Sequence, residues 1–239
     1  LAFAPGAFFW SFIVPHWLQL MIDSLPTLLW AGVKFTIPLT LLSFALGLGL
    51  GLTTAVTRLF APLPLVLLAR GYVWVFRGTP LLVQLFVIFY GLPSIGILLD
   101  AFPAALIGFT LNVGAYSSEI IRAAISSVPK GQWEAAFSTG MTWRQAMLRT
   151  ILPQAGRVAV PPLSNTFISL VKDTSLAAAI TVPELFQSAQ RIVATTYEPL
   201  ILYIEAALIY LAMSSVLAWL QERLEVRFAR YGGMLETSR

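Results

Sequence analysis

Five stretches of about twenty mostly apolar residues, separated by segments that hold most of the charge, decide what this chain can fold into. Such a run is what one helix needs to cross the roughly 30 Å hydrocarbon core of a bilayer. The stretches fall at residues 35–57, 79–99, 102–125, 158–180 and 199–221. A further apolar segment, 62–77, carries Arg70 and Arg77 and reads as entering from the membrane surface. Charged residues make up only 11% of the chain, against about 25% in soluble proteins. A soluble chain of 239 residues cannot cover its surface with so few charges. The expected fold class is all-α: a polytopic membrane protein with five transmembrane helices.

The basic residues give the orientation. Arg58, Arg70 and Arg77 follow the first stretch, and Arg122, Lys130, Arg144, Arg149 and Arg157 follow the third. Arg223, Arg227, Arg230 and Arg239 follow the fifth, so twelve of fifteen lie on one side, leaving Lys34, Lys172 and Arg191. Cationic loops stay in the cytoplasm, which puts the N-terminus outside and the C-terminus in the cytoplasm. The basic balance thus reflects topology, not nucleic-acid binding.

Cysteine is absent and His16 is the single histidine, which excludes disulfides, thiolate chemistry and a multi-histidine metal centre within one chain. The chain opens on Leu1, not Met, and residues 1–22 lack the basic start of a signal peptide. Their Phe, Trp and Pro suit an N-terminal interfacial segment. Residues 23–230 then form the membrane domain and 231–239 a cytoplasmic tail. Gly47 and Gly51, four apart, let helix backbones approach, within the fold or at a dimer contact.

The connection at about 126–157 is long and is no low-complexity linker. Residues 132–139 read as a short helix with Trp133, Ala136 and Phe137 on its sticky face. Gly140 suits the left-handed position that ends a helix. Thr142, with Gln145 three residues on, starts a second helix by a capping box. Pro153 bends or ends that second helix. The product is two short helices at a tight cytoplasmic corner, either lying on anionic lipid or docking a partner.

Three motifs carry a family resemblance. Glu134-Ala135-Ala136, Gly140 and Leu152-Pro153 resemble the EAA loop of ABC importer permeases, with Thr150 where that motif often has an aliphatic residue. Phe76-Arg77-Gly78-Thr79-Pro80-Leu81-Leu82-Val83-Gln84-Leu85 and Ser169-Leu170-Val171-Lys172-Asp173-Thr174-Ser175-Leu176 resemble signatures of the polar amino-acid subfamily, bacterial cystine permeases among them. The resemblance spans roughly residues 17–230. It implies an ABC type I importer permease in a bacterial inner membrane, with Glu134, Ala135, Ala136, Gly140 and Pro153 coupling to the ATPase. It also implies two ATP-binding subunits, a second permease subunit expected to be another copy, and an extracytoplasmic amino-acid-binding protein. No G-x-x-x-x-G-K-[ST] phosphate loop is present, and none of Lys34, Lys130 and Lys172 follows a glycine. ATP and Mg2+ are therefore expected on a partner, with no cofactor and no catalytic site in this chain.

Charge in mid-bilayer costs about 2.5–3.5 kcal/mol on insertion scales and usually faces protein or water. Lys172 and Asp173 in the fourth stretch and Glu119 in the third are such residues. An amino acid brings an ammonium and a carboxylate. Asp173, Lys172, Ser169 and Thr174 offer both complements, with Asn112, Asn165, Glu119 and Gln84 as further candidates for a substrate path. The same groups serve equally as helix–helix contacts. Outside, residues 183–197, with Glu184, Phe186, Gln187 and Arg191, form an amphipathic segment that would cap the mouth, meet a binding protein or lie solvated. An intramembrane protease fails for want of a Ser/His pair, paired aspartates or a metal cluster. An ion-coupled secondary amino-acid transporter is the alternative, disfavoured by the corner and by the lack of an internal repeat.

Overall fold

A computed structural model describes residues 15–233, with side chains as far as Arg223. Most of the expected interfacial segment, and all but three residues of the expected tail, lie outside them. The described residues are helical, with no strand among them. Helix α1 runs over His16–Phe60, 45 residues, or about 68 Å at 1.5 Å per residue. A wide π turn at Gly32–Thr36 interrupts it midway. α2 is Leu63–Gly78, and α3 is Leu81–Ile95, set at 108° to α2 across a two-residue break. α4 is Ala101–Ser127 and α5 Lys130–Ser138.

α6 begins at Trp143–Ala146, passes through a π turn at Met147–Ile151 and continues over Leu152–Asp173. A 3-10 turn over Thr174–Ile180 follows it. α7 is Leu185–Thr196 and α8 Pro199–Gly233. By length and composition, α1, α4 and α8 can each cross a membrane, and the bent pair α2–α3 makes a fourth span if counted as one. α6, which holds most of the expected fourth stretch, is not in that set. Pro161, Pro162, Asn165, Thr166, Lys172 and Asp173 dilute its apolar character.

One expectation is refined and one corrected. Residues 62–77 form an element of their own ahead of the second stretch. They are a full helix, and the stretch expected at 79–99 starts with a break. Pro153 does not end its helix: it sits in the first turn after a π turn at Met147–Ile151, where a missing N–H is tolerated, and the helix runs on to Asp173. The second corner helix is therefore the start of α6.

The seam between α1 and α4 organises the bundle. A Cβ added to Gly47 would lie 2.6 Å from Val113 Cγ1, and one on Gly51 would lie 2.7 Å from Ser117 Cβ. Only glycine lets the backbones come so close, and the expected packing within the fold is what the pair provides. Gly114 makes matching room for Tyr72 of α2, whose hydroxyl donates to the Leu111 carbonyl at 2.6 Å. Around this seam lie three apolar clusters. One joins Leu39, Leu85, Phe109, Val113 and Leu170 at the centre. A second joins Ala55, Ile121, Ile125, Met147 and Ile151 toward the corner. The third joins Leu28, Leu185, Ala189 and Ala206 at the other end.

The segment expected at 183–197 is α7, docked against α1 and α8 by one face. Fully buried Glu184 caps it, accepting from the Phe186 and Gln187 amides at 3.0 and 2.7 Å and from the Tyr210 hydroxyl at 2.6 Å. Burial pushes the Glu184 carboxyl above the ordinary range, against the pull of those three donors. The Leu185 amide donates to Thr36 Oγ1, in the π turn of α1.

Gly47→Leu or Gly51→Leu should force α1 from α4 and cost about 1–3 kcal/mol. The purified protein in detergent should melt at lower temperature. Gly49, whose added Cβ meets nothing within 4 Å, is the control, and Gly49→Leu should melt like the parent.

Candidate substrate cavity and cytoplasmic corner

The break between α2 and α3 leaves backbone carbonyls at the end of α2 without helical partners. Gln84, on the first turns of α3, folds back to serve them. Its Nε2 donates to the Phe76 carbonyl at 2.8 Å, the Thr79 carbonyl at 3.1 Å and Thr79 Oγ1 at 2.9 Å. Its Oε1 accepts from Asn112 Nδ2 at 3.0 Å, and Asn112 also reaches the Phe76 carbonyl at 3.4 Å. Buried Gln84 thus ties α2, α3 and α4 at one point.

Beside this tie lies a cavity of about 490 Å³ between the break, α4 and α6. Asn165, Ser169 and Asp173 line it from α6. Their spacing of four places them on adjoining turns, rising about 12 Å in all. Asn112 and Tyr116 line it from α4, and Thr79 from the break. Asp173 is its one charged lining residue.

The two asparagines are oriented by what they already bond. Asn112 commits its amide N–H to Gln84 and Phe76, which leaves Oδ1 to accept. Asn165 Oδ1 accepts from Gln221 Nε2 at 3.0 Å, which leaves Nδ2 to donate. Asp173 and Asn112 therefore offer acceptors to an ammonium, while Asn165 offers a donor to a carboxylate.

Of the eight proposed path residues, four line this cavity: Asn112, Asn165, Ser169 and Asp173. Gln84 stands behind Asn112. Thr174 is fully buried and donates to the Val171 carbonyl at 2.6 Å. Lys172 is exposed and is not part of the lining. Glu119 pairs instead with arginines. Arg58 Nη1 donates to Oε1, Arg122 Nη2 lies 2.9 Å from Oε2, and Arg77 Nη1 lies 3.9 Å from Oε1. The cavity also holds Thr79, Tyr116 and Thr166, which sequence reasoning did not select. Tyr116 was readable, since it follows Asn112 by one helical turn.

The second site is the corner. Gly140 has φ of +78°, the left-handed position expected of it. Thr142 and Gln145 make both capping-box hydrogen bonds. Ala136 packs inward, while Glu134, Ala135, Gly140 and Pro153 are exposed. Phe60, ending α1, packs edge-on against Trp143 at 4.8 Å and lies 6.4 Å from Trp133. Gln154 of α6 donates to Gln132 of α5 at 3.0 Å. The corner is thereby fixed to α1 and α6 and presents its tip outward.

A bent helix pair beside a polar cavity, with an exposed corner at the far end of the cavity helix, is the build of a membrane permease. Residues 47–230 match the family model described as binding-protein-dependent transport system inner membrane component. The L-cystine transport system permease protein TcyB of Bacillus subtilis is 54% identical over 214 residues, covering 89% of this chain and 92% of that protein. The probable amino-acid ABC transporter permease protein YckA of the same organism is 45% identical, covering 89% of this chain and 94% of its own length. The crystal structure of an amino acid ABC transporter with histidines superposes with a TM-score of 0.83 at 36% identity, over 90% of this chain and all of that one. The chain belongs to this family of transport-system inner membrane components, among its amino-acid ABC permeases.

Gln84→Leu keeps the side chain's bulk and removes the tie. It should cost about 1–3 kcal/mol by leaving buried polar groups unpaired, read as a lower melting temperature of the purified protein. Parent-like melting would show that the break needs no such closure.

Proposed function

We propose that this chain is the transmembrane subunit of an ATP-binding-cassette importer that carries a polar amino acid, L-cystine foremost, into the cytoplasm. The observation that carries this reading is the position of cavity and corner on one helix. From Trp143 to Asp173, α6 spans 31 residues, or about 45 Å, with the exposed corner at its start and the cavity's carboxylate at its end. The L-cystine permease relative, alike over nine-tenths of the chain, supports the substrate.

In this reading five segments cross the bilayer: α1, the α2–α3 pair, α4, α6 and α8. The N-terminus lies outside and the C-terminus in the cytoplasm, with the basic corner facing the ATPase. Two ATP-binding subunits hold ATP and Mg2+. A second copy of this chain completes the membrane domain, and an extracytoplasmic binding protein delivers the substrate. Closure of the ATPase subunits pushes on Glu134, Ala135, Ala136 and Gly140, and α6 carries the movement past Pro153 to the cavity. There Asp173 and Asn112 receive the ammonium, and Asn165 and Ser169 the carboxylate. This chain contributes no bond-breaking step.

Reconstituted complex with its binding protein, energised by ATP, tests both ends. Gly140→Leu forces a left-handed residue, at about 1–2 kcal/mol, and adds bulk where nothing lies within 4 Å inside the chain. Uptake should fall at least tenfold, and full ATP-driven uptake would remove the docking role. Asp173→Asn exchanges a charged partner for a neutral one and should raise the KM for uptake about tenfold or more. Parental kinetics would take Asp173 out of the path, and uptake driven by an ion gradient without ATP would replace the ABC reading altogether.

A further inference from the structure

A zwitterionic substrate needs a cation as well as an anion, and the cavity lining supplies none: its single charged residue is Asp173. The neutral Asn165 donor is a weak counterpart for a carboxylate taken out of water. Lys172, next to Asp173 in sequence, is exposed and lies outside the lining. The larger excess of positive charge is the cluster around Glu119, where three guanidinium groups surround one carboxylate. Two of the three are committed. Arg58 donates directly to Glu119 from a side chain only 13% exposed. Arg122 is doubly hydrogen-bonded to Oε2, at 2.9 and 3.2 Å.

Arg77 differs on every count. It lies 3.9 Å from Glu119 without a hydrogen bond to it, and its side chain is the most exposed of the three at 44%. It sits in the last turn of α2, where a basic side chain ordinarily helps to satisfy terminal carbonyls. Here Gln84 and Asn112 already serve the Phe76 and Thr79 carbonyls. Its guanidinium instead lies over the ring of Tyr116, 5.3 Å from the centroid, and the same Tyr116 forms a wall of the cavity. Two residues further on, Thr79 forms another part of that wall. One aromatic ring separates an incompletely neutralised cation from a cavity that lacks one.

We propose that Arg77 is the cation that engages the substrate's carboxylate, exchanging its loose contact with Glu119 for the substrate as the ligand moves from Asp173 toward the Arg58–Glu119–Arg122 end. The proposal rests on the cavity being the substrate path. Glu119 keeps Arg58 and Arg122 when Arg77 leaves, so the exchange strands no buried charge. Arg77 then discriminates for a free carboxylate, whereas Asp173 discriminates for an ammonium. Lysine keeps the charge but loses the fork that pairs with a carboxylate at two points.

The probes are L-cystine and its diamide, in which each carboxylate is a neutral carboxamide, bound to the purified permease–ATPase complex without the binding protein. Parental complex should prefer the acid. Arg77→Gln should cut the acid-over-amide ratio at least tenfold, and Arg77→Lys should retain part of it. A purely structural Arg77 would weaken both probes alike and leave the ratio unchanged, which overturns the proposal. A second measurement needs no variant. Saturating L-cystine should protect Arg77 of the parental complex from phenylglyoxal, read by peptide mass spectrometry, while the diamide should not and Arg191, exposed on α7 and outside the cavity, should stay reactive throughout. Equal labelling of Arg77 with both probes bound also overturns it. Failure of the cavity reading gives a different pattern: L-cystine binding that Asp173→Asn and Arg77→Gln both leave intact, or no binding by the parent, removes the path and this role with it.

Discussion

A helix broken among apolar residues exposes carbonyls that lipid cannot satisfy, and each one left unpaired there costs several kcal/mol. The 108° break between α2 and α3 is of this kind, and Gln84 is what makes it tolerable. One side chain returns three donor contacts to the end of α2 and offers its oxygen to Asn112. The break can therefore exist, the space beside it can remain polar, and Asn112 is turned so that its own oxygen is left for a ligand. Cavity, bend and orientation follow from the same amide.

The rest of the bundle holds this arrangement in place. Gly47 and Gly51 bring α1 against α4 closely enough that Val113 and Ser117 leave no room for a methyl group. α4 then presents Asn112 and Tyr116 to the cavity and Glu119 to Arg58 of α1. α6 supplies the opposite wall, and it is the same helix that leaves the corner. It passes a π turn at Met147–Ile151 and Pro153 without ending. Movement at the corner thus has a covalent helical route to Asp173.

Local chemistry was the legible part of the sequence. Gly140, Thr142 with Gln145, and the glycine pair each depend on residues within a turn or two, and each does what its pattern implies. The polar stripe of Asn165, Ser169 and Asp173 was legible for the same reason. Partners distant in sequence were not. Glu119 reads as a lone intramembrane charge until Arg58, 61 residues earlier, is seen to pair with it. Thr174 offers a hydroxyl in the sequence, but helix geometry turns it onto the Val171 carbonyl. Lys172 and Asp173 are adjacent, so a helix must point them apart, and only packing decides which one meets the cavity. The break at residues 79–80 was hidden because both sides of it are apolar, and hydropathy does not register direction.

Scarcity of charge is what makes the electrostatics of this chain consequential. In a soluble protein, three arginines around one glutamate would be screened by water and ions. Beside an apolar bundle that screening is weak, so the uncompensated charge must either be covered or be used. Arg58 and Arg122 share the one carboxylate of Glu119, and Asp173 opens on a cavity of about 490 Å³. Arg77 is left against a tyrosine that faces both the cluster and the cavity. The charges therefore divide by their partners: the Arg58–Glu119 pair joins α1 to α4, whereas Asp173 lines the cavity and Arg77 lies against its Tyr116 wall, where the proposed zwitterion would meet them.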